Sequence, residues 1–196
     1  MPALSSVCVF CGSNSGADPR YEAAAATVGR TLAERGMRLV YGGARVGMMG
    51  VLANAAIAAG GEVTGVIPRS IVDLEVAHDD VADLRIVDSM HERKALMADL
   101  ADAFVALPGG IGTLEELFEV YTWAHLGIHR KPLGLLDVAG FYRPLETMLD
   151  HAVEQGFLRP QTRALLVRDD ALERLLQRFA EWEPPPGAKW IDRDER

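Results

Sequence analysis

Short apolar runs punctuate the chain, and a segment of helical period follows nearly every one. The runs 6–10, 38–41, 62–67, 84–87, 103–107, 132–136 and 165–167 are dominated by Val, Leu, Ile and Ala. Strands buried on both faces read this way, as continuous apolar stretches rather than strict alternations. Between them, apolar residues recur at helical spacing over 19–35, 48–59, 90–100, 113–126, 141–154 and 170–179. Pro19 suits the first turn of its helix and Gly36 closes it. Asp88 and Ser89 are placed to cap the helix starting at Met90. Strand–helix alternation with short connections predicts an α/β chain: a doubly wound, mainly parallel sheet with helices on both faces.

The pattern fails in two places. Positions 69–83 are polar and acidic without a clear period, which predicts a loop with one short helical turn. Beyond Trp182 the run Glu183-Pro-Pro-Pro-Gly opens a charged, proline-rich tail with no expected regular structure. The expected organisation is one nucleotide-binding domain over 1–182 and a tail over 183–196. With 196 residues, 49% of them hydrophobic, there is enough material for one substantial core.

Ligands of open parallel sheets bind beyond the carboxyl ends of the strands. Three glycine-rich loops fall on that edge: Gly12-Ser13 after the first strand, Gly42-Gly43 after the second, and Pro108-Gly109-Gly110-Ile111-Gly112 after the run 103–107. The last is followed by Thr113, expected to open a helix. A strand, a glycine turn and a helix N-terminus together present unpaired N–H groups and a positive dipole end, the usual seat of a phosphate. Glu115 and Glu116 complicate this, since a carboxylate beside a phosphate repels it. Two readings of Glu116 stand side by side. Thr113 and Glu116 fit a capping box, with Glu116 bonding back to the cap; alternatively the carboxylate has a chemical task.

Charge and cysteines narrow the field. A formal net charge of −8 argues against a nonspecific nucleic-acid binder. No apolar run reaches the roughly 18 residues that suggest a membrane span, and the N-terminus has no basic region typical of a signal peptide. The expected compartment is the cytoplasm. Cys8 and Cys11 are spaced C-x-x-C, but three residues apart on a strand they face opposite sides, which predicts two reduced, buried thiols. His125 and His129 have the i, i+4 spacing of a metal pair, yet Gly127 interrupts them. No G-x-G-x-x-G follows the first strand and G-K-[ST] is absent, which argues against dehydrogenase and P-loop chemistry. Lys94, Lys131 and Lys189 are the only lysines, and none sits where a Schiff base would be chosen.

Pro108-Gly-Gly-Ile-Gly-Thr-Leu-Glu-Glu116 resembles the PGGxGTxxE motif of the LONELY GUY family of cytokinin-activating phosphoribohydrolases, whose bacterial members often carry an older lysine-decarboxylase-like label. Met90-His-Glu-Arg93-Lys94, Tyr41-Gly-Gly-Ala-Arg-Val-Gly-Met-Met-Gly50 and Cys11-Gly-Ser13 resemble further elements of that family, in its order and spacing. The resemblance implies a Rossmann-like fold, a catalytic pair of Arg93 and Glu116, and a substrate held by Gly12, Ser13, Gly42, Gly43, Met90, Lys94, Pro108, Gly109, Gly110, Ile111, Gly112 and Thr113. It implies no metal or other cofactor, a nucleoside 5'-monophosphate substrate, and at least a homodimer. The implied reaction is hydrolysis of the N-glycosidic bond of an N6-modified adenosine 5'-monophosphate. Two alternatives stay open: turnover of plain AMP or other nucleotides, and nucleotide binding without turnover. Ala44 departs from the family, which usually has a third glycine there.

Overall fold

The computed structural model describes residues 4–72 and 77–184. Seven strands form one all-parallel sheet in the order β4-β3-β2-β1-β5-β6-β7. They are β1 (Ser6–Phe10), β2 (Arg38–Tyr41), β3 (Val63–Pro68), β4 (Asp83–Val87), β5 (Ala103–Ala106), β6 (Leu133–Leu136) and β7 (Leu166–Asp169). The helices between them are α1 (Pro19–Glu34), α2 (Gly47–Ala58), α3 (Arg69–Val72), α4 (Met90–Leu100), α5 (Ile111–Leu126), α6 (Arg143–Glu154), α7 (Pro160–Arg163) and α8 (Leu172–Ala180).

The two faces sort the strand residues by parity. Val7, Val9 and Cys11 join a core with α1, α2 and α8; Cys8 and Phe10 join a second core with α4, α5 and α6. Leu39 and Tyr41 likewise fall on the first side and Val40 on the second. The cysteines are therefore buried on opposite faces as free thiols. Burial pushes both thiols far above their ordinary range, so neither is a reactive thiolate.

Element ends moved by a residue or two, as hydrogen-bonded boundaries do. Two differences matter more. The short helix α7 had no periodic signal, since four residues are too few to show one. Helix α5 starts at Ile111 rather than Thr113, with Gly110 as its cap and no side-chain cap hydrogen bond. Of the two readings of Glu116, the Thr113–Glu116 capping box is absent; Thr113 lies inside the first turn and Glu116 in the second. Helix α4 carries a variant of that box, in which the acid reaches the residue before the cap Ser89. There Ser89 Oγ accepts from Glu92 N at 3.1 Å, and Glu92 Oε2 accepts from the backbone of Asp88 at 2.9 Å. The predicted tail lies, from residue 185 onward, outside the described residues.

Candidate active site

The strand order reverses direction between β1 and β5, and the loops leaving those two strands meet there. Gly12 N donates to Pro108 O at 3.1 Å, locking the first loop onto the Pro-Gly-Gly turn. The contact demands glycine. A methyl on Gly109 would lie 2.1 Å from Thr113 Oγ1 and 2.8 Å from the backbone nitrogen of Gly12. Beside this crossing is a cavity of about 250 Å³ lined by Gly12, Ser13, Asn14, Pro108, Gly109 and Gly110, and walled by Tyr21, Met48 and Phe141. The rings of Tyr21 and Phe141 pack edge to face, 5.9 Å apart. With Gly110 as its cap, the N-terminus of α5 carries no side-chain cap hydrogen bond and presents the positive end of the helix dipole.

On the other face of the sheet, α4 and α5 bring an ion pair together. Arg93 Nη1 donates to Glu116 Oε1 at 2.7 Å, and each side chain is only 10% exposed. Arg93 Nε also donates to Val66 O at 3.0 Å, and Nη2 reaches Gly42 O at 3.5 Å. The guanidinium is thus fixed by the backbone of β3 and of the turn after β2 as well as by the acid. Gly42 makes room for it, since a methyl there would stand 2.2 Å from Arg93 Nη2. Burial pushes the Glu116 carboxyl above its ordinary value, and Arg93 only partly offsets this. A buried acid poised above the normal carboxylate range, held by one arginine at the strand ends, has the character of a working group.

The remaining predicted residues divide. Gly43 is buried with φ +76°, and its carbonyl accepts from His78 N at 3.0 Å. Ala44 forms a single antiparallel bridge with Ala77. Ile111 is 86% exposed and Met90 40%, both at helix N-termini facing outward. Lys94 does not reach the glycine loops; its ammonium lies between Glu115 Oε1 at 2.5 Å and Glu119 Oε1 at 3.0 Å. The histidines are used internally: His125 Nδ1 is 3.0 Å from Thr162 Oγ1, and His129 Nε2 is 2.9 Å from Val120 O. The sequence reading missed Tyr21, Met48, Phe141 and Asn14. Phe141 follows β6 on the carboxyl edge of the sheet, which was the available signal.

With this geometry established, similarity becomes informative. Residues 49–179 match the family model described as "Possible lysine decarboxylase". A cytokinin riboside 5'-monophosphate phosphoribohydrolase of Rhodococcoides fascians is 53% identical over 85% of the chain and 84% of its own length. One from Arabidopsis thaliana is 49% identical over 91% of the chain and 82% of its length. The chain belongs to the LONELY GUY family. Solved structures reach further at lower identity. A molybdenum cofactor carrier protein from Chlamydomonas reinhardtii superposes with TM-score 0.68 at 20% identity, covering 90% of the chain and 96% of its own. A molybdenum cofactor binding protein from Rippkaea orientalis gives TM-score 0.68 at 19%, covering 92% and 98%. These two share the fold of the LONELY GUY chain, and at such identity the likeness concerns the fold alone.

Proposed function

We propose that the chain hydrolyses the N-glycosidic bond of an N6-modified adenosine 5'-monophosphate, releasing free base and ribose 5-phosphate; its relatives are named for a cytokinin riboside 5'-monophosphate. The buried Arg93–Glu116 pair carries this reading. Cleavage passes through an oxocarbenium-like state with positive charge growing on the ribose ring. The Glu116 carboxylate faces that charge and orients the attacking water. Arg93 stays protonated and serves as a fixed donor, holding Glu116 and the ribose oxygens in place. The phosphate rests on Gly109, Gly110, Gly112 and Thr113 at the open N-terminus of α5, with Ser13 beside it. A protein that only binds nucleotides has no need of a desolvated acid held by a desolvated arginine.

The working form is a homodimer, and its place is the cytoplasm. Support for association comes from apolar surface around α4 and α5: Leu126 is 37% exposed, and Ala95, Ala98, Trp123 and Ile128, with Asp99, His129 and Lys131, line a largely apolar cavity of about 350 Å³. Among the described residues no helix is long and apolar enough to cross a membrane. The deciding experiment incubates the protein with AMP, N6-isopentenyl-AMP and the matching nucleosides and measures released base. Release from a monophosphate supports the reading. Tight binding of both monophosphates with no release from either overturns it.

A further inference from the structure

Neighbouring residues of α4 engage neighbouring residues of α5. Arg93 takes Glu116. Lys94, about 100° further round the helix, lies between Glu115 and Glu119, which are one turn apart on α5. The Lys94 side chain is 8% exposed, whereas Glu115 is half exposed. The second oxygen of Glu119 is buried and has no hydrogen-bond partner. Among the described residues lining the glycine cavity none is a cation, and the Lys94 ammonium is paired with these two acids.

The groups around Glu116 come from three elements. From α4 come Arg93 and Lys94; from α5 itself comes Glu115, with Glu119 one turn on; from β1 and its following loop come the Cys8 and Cys11 thiols, which burial keeps neutral. Burial and Glu115 work against the charged form of Glu116, while Arg93 and Lys94 support it. Without Lys94, the charge of Glu115 loses its ion-pair partner beside a carboxylate that already bears a desolvation cost.

We propose that Lys94 is a positioning residue: by joining Glu115 and Glu119 to α4 it neutralises the acids flanking Glu116, keeping that carboxylate ionised and in register with Arg93. Lys94 acts on the reaction through Glu116 and not by touching substrate. The proposal rests on the reading of Glu116 given above.

The test is the pH dependence of kcat/KM for base release from the nucleoside monophosphate. It compares the native protein with Lys94→Met, Lys94→Arg and the double variant Lys94→Met/Glu115→Gln. In Lys94→Met the acid limb moves up by about one pH unit, the scale of one nearby charge, while KM stays within about twofold of native. Lys94→Arg restores the limb, and so does the double variant, which returns the local formal charge to that of the native cluster. Glu115→Gln alone keeps Lys94 and moves the limb down, so the idea stays open to refutation if Lys94→Met folds poorly. An unmoved limb in Lys94→Met overturns the proposal. So does a raised KM with an unmoved limb, which would assign Lys94 to the phosphate. Either result beside an inactive Glu116→Gln leaves the function intact; an active Glu116→Gln removes the function itself.

Discussion

At the residue scale, a single substitution separates a Glu116 that does chemistry from one that only pairs with Arg93. Glutamine keeps the shape and can still accept from Arg93, but it offers no negative charge and takes no proton. Glu116→Gln is expected to lose at least about a hundredfold in turnover, the scale of a general acid–base group. Its thermal midpoint should stay close to native, because the substitution removes a desolvated charge and leaves Arg93 its carbonyl partners at Val66 and Gly42. Near-native turnover in a folded variant would refute the assignment. The pH dependence follows from the same group. In the proposed role activity needs the carboxylate, whose folded value is raised above 4.5, so turnover should fall as pH drops through a window above 4.5. Stability behaves differently there. A raised carboxyl favours the fold when protonated, so Glu116 contributes most at low pH and loses that contribution as pH rises through its folded value. The acids that hold the fold together sit lower. Burial alone would raise Asp102, but its hydrogen bonds from Ser5 and Ser6 outweigh it and keep it below 3.8. Its contribution is present above 3.8 and lost below. Activity should therefore disappear on acidification before circular dichroism registers unfolding.

At the element scale, the glycine contacts make sharp predictions. Gly42→Ala should displace the Arg93 guanidinium, the far end of a flexible side chain, and cost at least about tenfold in turnover with little loss of stability. Gly109→Ala meets backbone at Gly12 as well as Thr113, so it should cost roughly 1–3 kcal/mol in thermal or denaturant unfolding and weaken AMP binding. These elements were unequally legible. The strands could be read because burial on both faces leaves uninterrupted apolar runs, as in Val7 to Phe10 and Ala103 to Leu107. The start of α5 could not, because a glycine cap has no side-chain signature and Thr113 offered a better-looking one. The identity of Arg93 and Glu116 came from motif resemblance; their contact joins residues 23 apart in sequence, a relation no local period records. The Tyr21–Phe141 contact was hidden too, since its two halves come from α1 and the loop after β6, and only the place of Phe141 on the carboxyl edge hinted at it.

At the scale of the whole molecule, the substrate's phosphate and the second subunit are both testable. Nucleosides should react far more slowly than their monophosphates, because without a phosphate the α5 N-terminus has nothing to hold; equal rates on adenosine and AMP would refute the phosphate site. Light scattering at micromolar concentration should return twice the 21.3 kDa chain mass, and a monomer there would remove the dimer from the proposal.

The central position of β1 has a consequence in time. Its partner on one side, β2, pairs Val7 with Leu39, but on the other side Val7 waits for Ala103. As the chain leaves the ribosome, the first four strands can pair among themselves while β1 keeps an open apolar edge. Such an edge invites association with other chains. During that interval Arg93 has emerged and Glu116 has not, so half of the proposed catalytic pair exists without the other. A fragment ending at residue 100 should consequently aggregate rather than fold, whereas one ending after β7 and α8, at residue 184, should fold and turn over substrate.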